Sequence, residues 1–210
     1  MIAVIDYGAG NLQSVVKAFE FIGCRAEVID RPERLAQADA AVLPGVGSFG
    51  DAMDSLKSRG FVEPVRQFVD SGKPFLGICL GLQLLFESSE ESPGVPGLGL
   101  LKGKILRIPD EPGLKVPHIG WNSLTFSTPK SLLFQGLSEN PYVYFVHSYY
   151  LQAEDSKVVS ATAEYGVTIH AAVQCENLFA TQFHPEKSGN VGLQMLRNFS
   201  LLVPGNDGRG

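Results

Sequence analysis

Positive charge is in short supply in this sequence. Seventeen Lys and Arg side chains stand against 22 Asp and Glu, a net charge of −5 over 210 residues. That leaves no basic footprint of the kind that holds nucleic acid. Cysteine is scarcer still: Cys24, Cys79 and Cys175 are far apart and odd in number, which implies no disulfide framework. No Cys-x-x-Cys pair or Cys/His cluster has metal-ligand spacing, so no zinc site is expected. Long apolar runs are missing as well, none approaching the ~18 residues of a membrane span. The opening Met1-Ile2-Ala3-Val4-Ile5-Asp6 lacks a basic start and puts an acid where a signal peptide needs apolar residues. The expectation is a cytoplasmic protein that binds neither membrane nor nucleic acid. A chain of this length can bury a full core without staples. No internal repeat or linker divides it, so one domain is expected over 1–203 with a flexible tail at 204–210.

What is present first is a βαβ rhythm. Ile2-Ala3-Val4-Ile5 is a β-branched run suited to a buried parallel strand. Leu12, Val15, Val16, Phe19 and Ile22 then fall at helical spacing, with Gly23 as a stop. Strands follow at 26–30 and 40–43, which predicts a doubly wound parallel sheet. Gly8-x-Gly10 with Asp30 resembles part of a dinucleotide fingerprint, but its third glycine falls at Gln13, where helix and strand must pack closely. Val62, Val65 and Val69 mark another helix, with Pro64 tolerable in its first turn. From Glu87 to Gly103 turn residues predict a surface excursion. Beyond it the rhythm changes to short β-like pieces at 104–107, 123–126, 142–146 and 158–162. The runs 168–175 and 178–183 flank a hairpin turn at Glu176-Asn177, and Val191, Met195, Phe199 and Leu202 close with a helix. The whole predicts an α/β fold: a doubly wound, mostly parallel mixed sheet flanked by helices, with an antiparallel C-terminal extension.

The chemistry gathers around one stretch. Pro74-Phe75-Leu76-Gly77-Ile78-Cys79-Leu80-Gly81-Leu82-Gln83 reads as a short apolar strand that breaks at Gly-x-Cys-x-Gly and enters a helix continued by Leu84, Leu85 and Phe86. It is the cysteine counterpart of the Gly-x-Ser-x-Gly elbow, where a nucleophile sits on a strained strand-to-helix corner. Glycines let neighbouring backbone crowd that corner, and a helix N-terminus favours the thiolate. A small buried cysteine between packing glycines has the same pattern, so partners are needed. Pro44-Gly45-Val46-Gly47-Ser48-Phe49-Gly50 follows a strand directly. With no Gly-Lys-Ser/Thr after it, it suits an oxyanion hole better than a phosphate loop. Of the four histidines, His184 has a chemical setting: Phe183-His184-Pro185-Glu186. If Phe183 ends a strand, His184 and Glu186 project to the same side, and a carboxylate there can hold the imidazole as the third member of a triad does.

In these motifs the chain resembles the class I (triad) glutamine amidotransferases. The 44–50 loop, the Cys79 elbow and His184-Pro185-Glu186 carry the likeness across nearly the whole sequence. Within that family it is most similar to the glutaminase subunits of imidazole glycerol phosphate synthases. Asp6-Tyr7-Gly8-Ala9-Gly10-Asn11, Pro44-Gly45-Val46-Gly47, His118-Ile119-Gly120-Trp121-Asn122 and Phe145-Val146-His147-Ser148-Tyr149 narrow it so. The resemblance implies glutamine as substrate, with Cys79, His184 and Glu186 as the triad and no metal or organic cofactor. It also implies an oxyanion hole from the Leu80 N–H with a donor from Val46 or Gly47, and glutamine contacts from Gly47, Gln83, Ser148 and Tyr149. Ser148 and Tyr149 also fit a plain strand-end turn with a packing aromatic. The implied partner is a (β/α)8-barrel cyclase, which would use the ammonia to make imidazole glycerol phosphate and an aminoimidazole carboxamide ribotide. Asn11, Trp121 and Lys187 are the interface candidates, although a lone Trp also suits a core. Two other readings fit the motifs: the glutaminase of another pathway, such as pyridoxal phosphate synthesis, and a catalytically silent binding module.

Overall fold

The structure, a computed structural model, describes residues 1–203; the tail expected at 204–210 lies outside the described residues. Strands β1 (Ile2–Ile5), β2 (Ala26–Ile29), β3 (Ala40–Gly45) and β4 (Phe75–Cys79) come first. Helix α1 (Leu12–Phe21) follows β1, and α2 (Phe49–Ser58) and α3 (Val62–Asp70) lie between β3 and β4. Helix α4 (Leu80–Leu84) springs directly from β4. Six short strands follow: β5 (Ser88–Ser89), β6 (Gly103–Arg107), β7 (His118–Ser123), β8 (Thr125–Phe126), β9 (Tyr142–His147) and β10 (Tyr149–Ala153). The chain then makes β11 (Val159–Tyr165), β12 (Val167–Cys175), β13 (Leu178–Thr181) and helix α5 (Gly189–Ser200).

The main sheet runs β2-β1-β3-β4-β13-β12-β11-β8, parallel from β2 through β13 and antiparallel beyond. This is the mostly parallel α/β sheet with an antiparallel extension that the sequence predicts. Its faces follow the period of two along each strand. On β1, Ile2 and Val4 join a core with Val15 and Phe19 of α1 and Met195 and Phe199 of α5. Ala3 and Ile5 point the other way, into a second core with Phe49, Met53 and Leu56 of α2 and Val65 and Phe68 of α3. Each such fully buried aliphatic or aromatic side chain contributes ~1.5–3 kcal/mol, and that fixes the strand register.

Register in turn fixes the site. Gly45, the last residue of β3, pairs with Cys79, the last of β4. On the other side of β4, Thr181 at the end of β13 pairs with Ile78. The glycine-rich loop, the cysteine and the His184 segment therefore leave the sheet side by side at its carboxyl edge, where open α/β sheets bind ligands.

Three expectations need correction. The helix after the elbow stops at Leu84 rather than running through Phe86. The last turn tightens there, the N–H groups of Leu85 and Phe86 donating three residues back to Leu82 and Gln83 (3.2 Å each), while the Leu84 and Leu85 carbonyls accept from Leu98 (2.8 Å) and from Leu100 and Leu101 (2.9 and 3.1 Å). Residues 87–103 are more than a surface excursion, since Leu98 and Leu101 are buried in the second core. The strand expected over 123–126 is split at the buried Leu124 between β7 and β8, which join different sheets. Strand β7 pairs with β9, His118 opposite His147 and Trp121 opposite Tyr144. A third sheet runs β10-β6-β5.

Candidate active site

Cys79 sits at φ 56°, ψ −107°, a left-handed conformation that costs a non-glycine residue ~1–3 kcal/mol and persists only where its surroundings impose it. Strand pairing on both sides of β4 and the start of α4 impose it here. The flanking glycines are steric requirements. A Cβ on Gly81 would lie 1.8 Å from the Leu43 carbonyl oxygen, and one on Gly77 would lie 2.9 Å from that of Gly81. Helix α4 can thus begin pressed against β3, with the sulfur turned into a cavity.

His184 reaches that cavity from the far side. Strand β13 ends at Thr181, so the shared direction of His184 and Glu186 does not come from strand alternation. A 3-10 turn over Pro185–Lys187, with His184 at its N-cap, curls the carboxylate back under the ring. The turn is fastened at several points. His184 N–H donates to the Tyr144 carbonyl (3.0 Å), and the Ser188 hydroxyl donates to the His184 carbonyl (2.7 Å). Helix α5 approaches closely because Gly192 has no Cβ, which would sit 1.9 Å from the Pro185 carbonyl oxygen. Nδ1 of His184 lies 2.7 Å from Glu186 Oε1, with the two side chains only 3% and 2% exposed. Burial by itself disfavours a charged ring. The hydrogen bonds and charges of Cys79 and Glu186 outweigh it and raise the imidazole from 6.5 to about 9. Nε2 is buried without a hydrogen-bond partner of ordinary geometry among the described residues, which leaves that nitrogen to the thiol and to whatever enters the cavity.

The cavity, of about 320 Å³, is lined by Val46, Gly47, Cys79, Leu80, Gln83, Ser148, Tyr149 and His184 among others. All four glutamine-contact candidates and the three oxyanion candidates are therefore brought to one place with the cysteine and the histidine. Gly47 takes φ +101° with nothing within 4 Å of a would-be Cβ, and Val46 and Gly47 are exposed. This exposed peptide lines the same cavity as the thiol. Ser148 bends the chain between β9 and β10, and Tyr149 begins β10.

Several lining residues were not singled out from sequence. Among the described residues Glu91 is the one carboxylate on the cavity wall, and Phe49 N–H donates to it (2.7 Å). The signal for it is spatial, because the 87–103 segment folds over the start of α2, where Gly50 N–H also donates to Ser92 Oγ (2.9 Å). His147 also lines the cavity and is held neutral, lowered to about 3, mainly by burial. Its Nδ1 lies 2.9 Å from the Tyr149 carbonyl and its Nε2 3.0 Å from His118 Nδ1. His118 is likewise lowered by burial, to about 4. Tyr7 is buried, its hydroxyl without a hydrogen-bond partner among the described residues, and burial and then Cys79 raise its pKa.

The interface candidates lie outside the cavity. Asn11 caps α1 through Ser14 N–H (3.4 Å), and α1 packs against the 185–187 turn that carries the exposed Lys187. Trp121 is 56% exposed, so it is not a core residue, and its ring meets Tyr144 edge-on at 6.0 Å. Tyr144 in turn is bonded to the His184–Ser188 segment (3.0 Å from its N–H to Ser188 Oγ).

A family model described as "Glutamine amidotransferase class-I" matches residues 3–203. A protein of Syntrophotalea carbinolica named "Imidazole glycerol phosphate synthase subunit HisH" is 56% identical over 204 residues, covering 95% of this chain and 98% of its own. One of the same name from Methanothermobacter thermautotrophicus is 54% identical over 203 residues, 97% of this chain and 99% of its own. Among solved structures, one described as "Crystal structure of glutamine amidotransferase" superposes with a TM-score of 0.75 at 20% identity. It covers 97% of this chain and 99% of its own. A second, "Structure of PurLQS from Thermotoga maritima", also reaches 0.75 at 20% identity, over 94% and 96%. The last two likenesses speak for the fold alone.

Proposed function

The chain belongs to the class I glutamine amidotransferases, and on that premise we propose that it works as the glutaminase subunit of an imidazole glycerol phosphate synthase. It is an enzyme, a subunit of a complex that uses glutamine. The observation that carries the chemistry is the buried Cys79–His184–Glu186 arrangement at one wall of a small cavity.

In this reading glutamine enters with its side-chain amide at the sulfur. The cavity is at the small end of ligand sites and suits an amino acid. Glu91, its single carboxylate, faces the substrate ammonium, and Gln83, Ser148, Tyr149 and Gly47 hold the amino-acid end. The Cys79 thiolate attacks the amide carbon, and the oxyanion meets the Leu80 N–H and a donor from the Val46–Gly47 peptide. His184, protonated through neutral pH, gives its Nε2 proton to the departing ammonia. A glutamyl thioester remains on Cys79, and water deprotonated by His184 releases glutamate. Glu186 keeps the ring oriented and charged.

Ammonia released into water would be protonated and lose its nucleophilicity, so the reading includes an acceptor docked over the site. The partner proposed is a (β/α)8-barrel cyclase in the cytoplasm, seated on the face with Asn11, Trp121 and Lys187. There it would turn the ammonia into imidazole glycerol phosphate and an aminoimidazole carboxamide ribotide. Residues 1–203 form one glutaminase unit in this proposal. The exposed, unpacked Gly47 supports an oxyanion hole that is unfinished in the lone chain and completed on docking. Labelling with an electrophilic glutamine analogue tests the reading. Modification confined to Cys79 and prevented by glutamine is expected; modification that ignores glutamine, or that spreads equally to Cys24 and Cys175, contradicts it.

A further inference from the structure

The thiol has a neighbour that the triad does not include. Gln182 is completely buried, and its Nε2 lies 3.8 Å from Cys79 Sγ. An amide of this kind can point either way, so which of its ends faces the sulfur must be argued from its other partners. Here the chain of partners ends on a carbonyl that admits no ambiguity. Gln83 places one end of its amide 3.0 Å from the Tyr149 backbone oxygen, which only accepts, so that end is the NH2. The same nitrogen is 3.2 Å from Gln182, so the Gln182 atom there is the oxygen. Its NH2 is thereby left facing the sulfur. The backbone of Gln182 is fixed too, since its N–H donates to the Ala171 carbonyl (2.8 Å).

Resting on the reading of Cys79 as the nucleophile, we propose that Gln182 is a functional partner of that sulfur, donating a hydrogen bond that stabilises the thiolate and holds it toward the cavity. A thiol has an alternative here, because its S–H can donate to the Val146 carbonyl, 4.0 Å away. Only the charged form makes full use of the amide donor, and a hydrogen bond to an ion is about twice as strong as one between neutral groups. The other titratable groups around the sulfur are His184, which carries the opposite charge, and the neutral Tyr7 and His147. Glu91 lines the same cavity. Gln182 adds a fixed dipole to this set. It does not line the cavity, so it acts on the nucleophile without touching glutamine.

The test is the pH profile of Cys79 alkylation by iodoacetamide in the full chain, read by mass spectrometry, beside glutamine kinetics of the assembled complex. Gln182→Met keeps the volume and removes the donor. The alkylation midpoint should move up by about one pH unit, so that well below the native midpoint the thiol reacts about tenfold more slowly. kcat should fall by about the same factor, with KM little changed. An unmoved midpoint in a folded Gln182→Met chain overturns the proposal. If that chain does not fold, Gln83→Met serves instead, because it releases the Gln182 amide from its orientation. A smaller shift in the same direction is expected there, and no shift is equally fatal. If Cys79→Ala retains glutamine turnover, the nucleophile reading itself has failed, whatever the profiles show.

Discussion

Replacing Glu186 by Gln changes a single charge and leaves the shape of the site nearly intact. The amide oxygen can still accept from His184 Nδ1, at 2.7 Å in the native pair, so the ring keeps its orientation. What disappears is the charge that favours the imidazolium. The difference between 6.5 and about 9 for His184 corresponds to about 3 kcal/mol of preference for the charged ring, shared between Cys79 and Glu186. The sign follows from linkage. A group raised in the folded state contributes its full stability below its unfolded value, and that contribution is lost as pH rises through the folded one. Denaturant unfolding of the native chain and Glu186→Gln should therefore differ by about 1–3 kcal/mol below pH 6.5, with the gap closing as pH passes through about 9. Glutamine turnover by the complex should show its alkaline limb near pH 9 in the native enzyme and at lower pH in the variant. A stability gap of the same size at every pH, with an unmoved alkaline limb, would refute the assignment of Glu186 as the charge partner.

Other outcomes are equally specific. In the complex, Cys79→Ala should lose glutamine-dependent synthesis but keep synthesis from added ammonium salts; loss of both would mark the cysteine as structural. Gly81→Ala drives a Cβ to 1.8 Å from the Leu43 carbonyl oxygen, so destabilisation at or beyond the ~1–3 kcal/mol of ordinary overpacking is expected in denaturant melts. Gly47→Ala meets no atom within 4 Å and carries only the strain of its dihedral, ~1–2 kcal/mol, yet turnover should fall more than stability does. Trp121→Ala, more than half exposed, should leave the melting temperature of the lone chain unchanged and weaken its complex in titration calorimetry; unaltered affinity would remove Trp121 from the interface.

Much of the architecture was legible because the parallel strands are buried on both faces and therefore read as continuous apolar runs, as in β1, β3 and β4. The elbow was legible for a related reason: its glycines answer to backbone crowding that no other residue tolerates. Helix α2 went unread although Phe49, Ala52, Met53 and Leu56 carry the helical period and Ser48 caps it through Asp51 N–H. Its first residues, Phe49 and Gly50, also end the glycine-rich stretch, whose turn signals mask the start of the helix. Strand β7 was hidden because one side of its ribbon faces solvent through Ile119 and Trp121, and Gly120 and Asn122 are poor strand formers. His184 and Glu186 were correctly set side by side, but by a 3-10 turn where the sequence suggested strand alternation. Glu91 and Gln182 were out of reach, since one depends on a long segment folding back over α2 and the other on an amide whose direction is set by a chain of neighbours.

The claim on which the rest depends is that glutamine is hydrolysed through Cys79 and that the partner completes the site. Glutamate release by the purified chain alone, set against the same chain with the cyclase and its nucleotide, measures it most directly. One oxyanion donor is worth ~10²–10³ in rate, so the complex should exceed the lone chain by at least ~10², and Cys79→Ala should abolish release in both. A lone chain within about tenfold of the complex would contradict the unfinished oxyanion hole, and release surviving in Cys79→Ala would contradict the account as a whole.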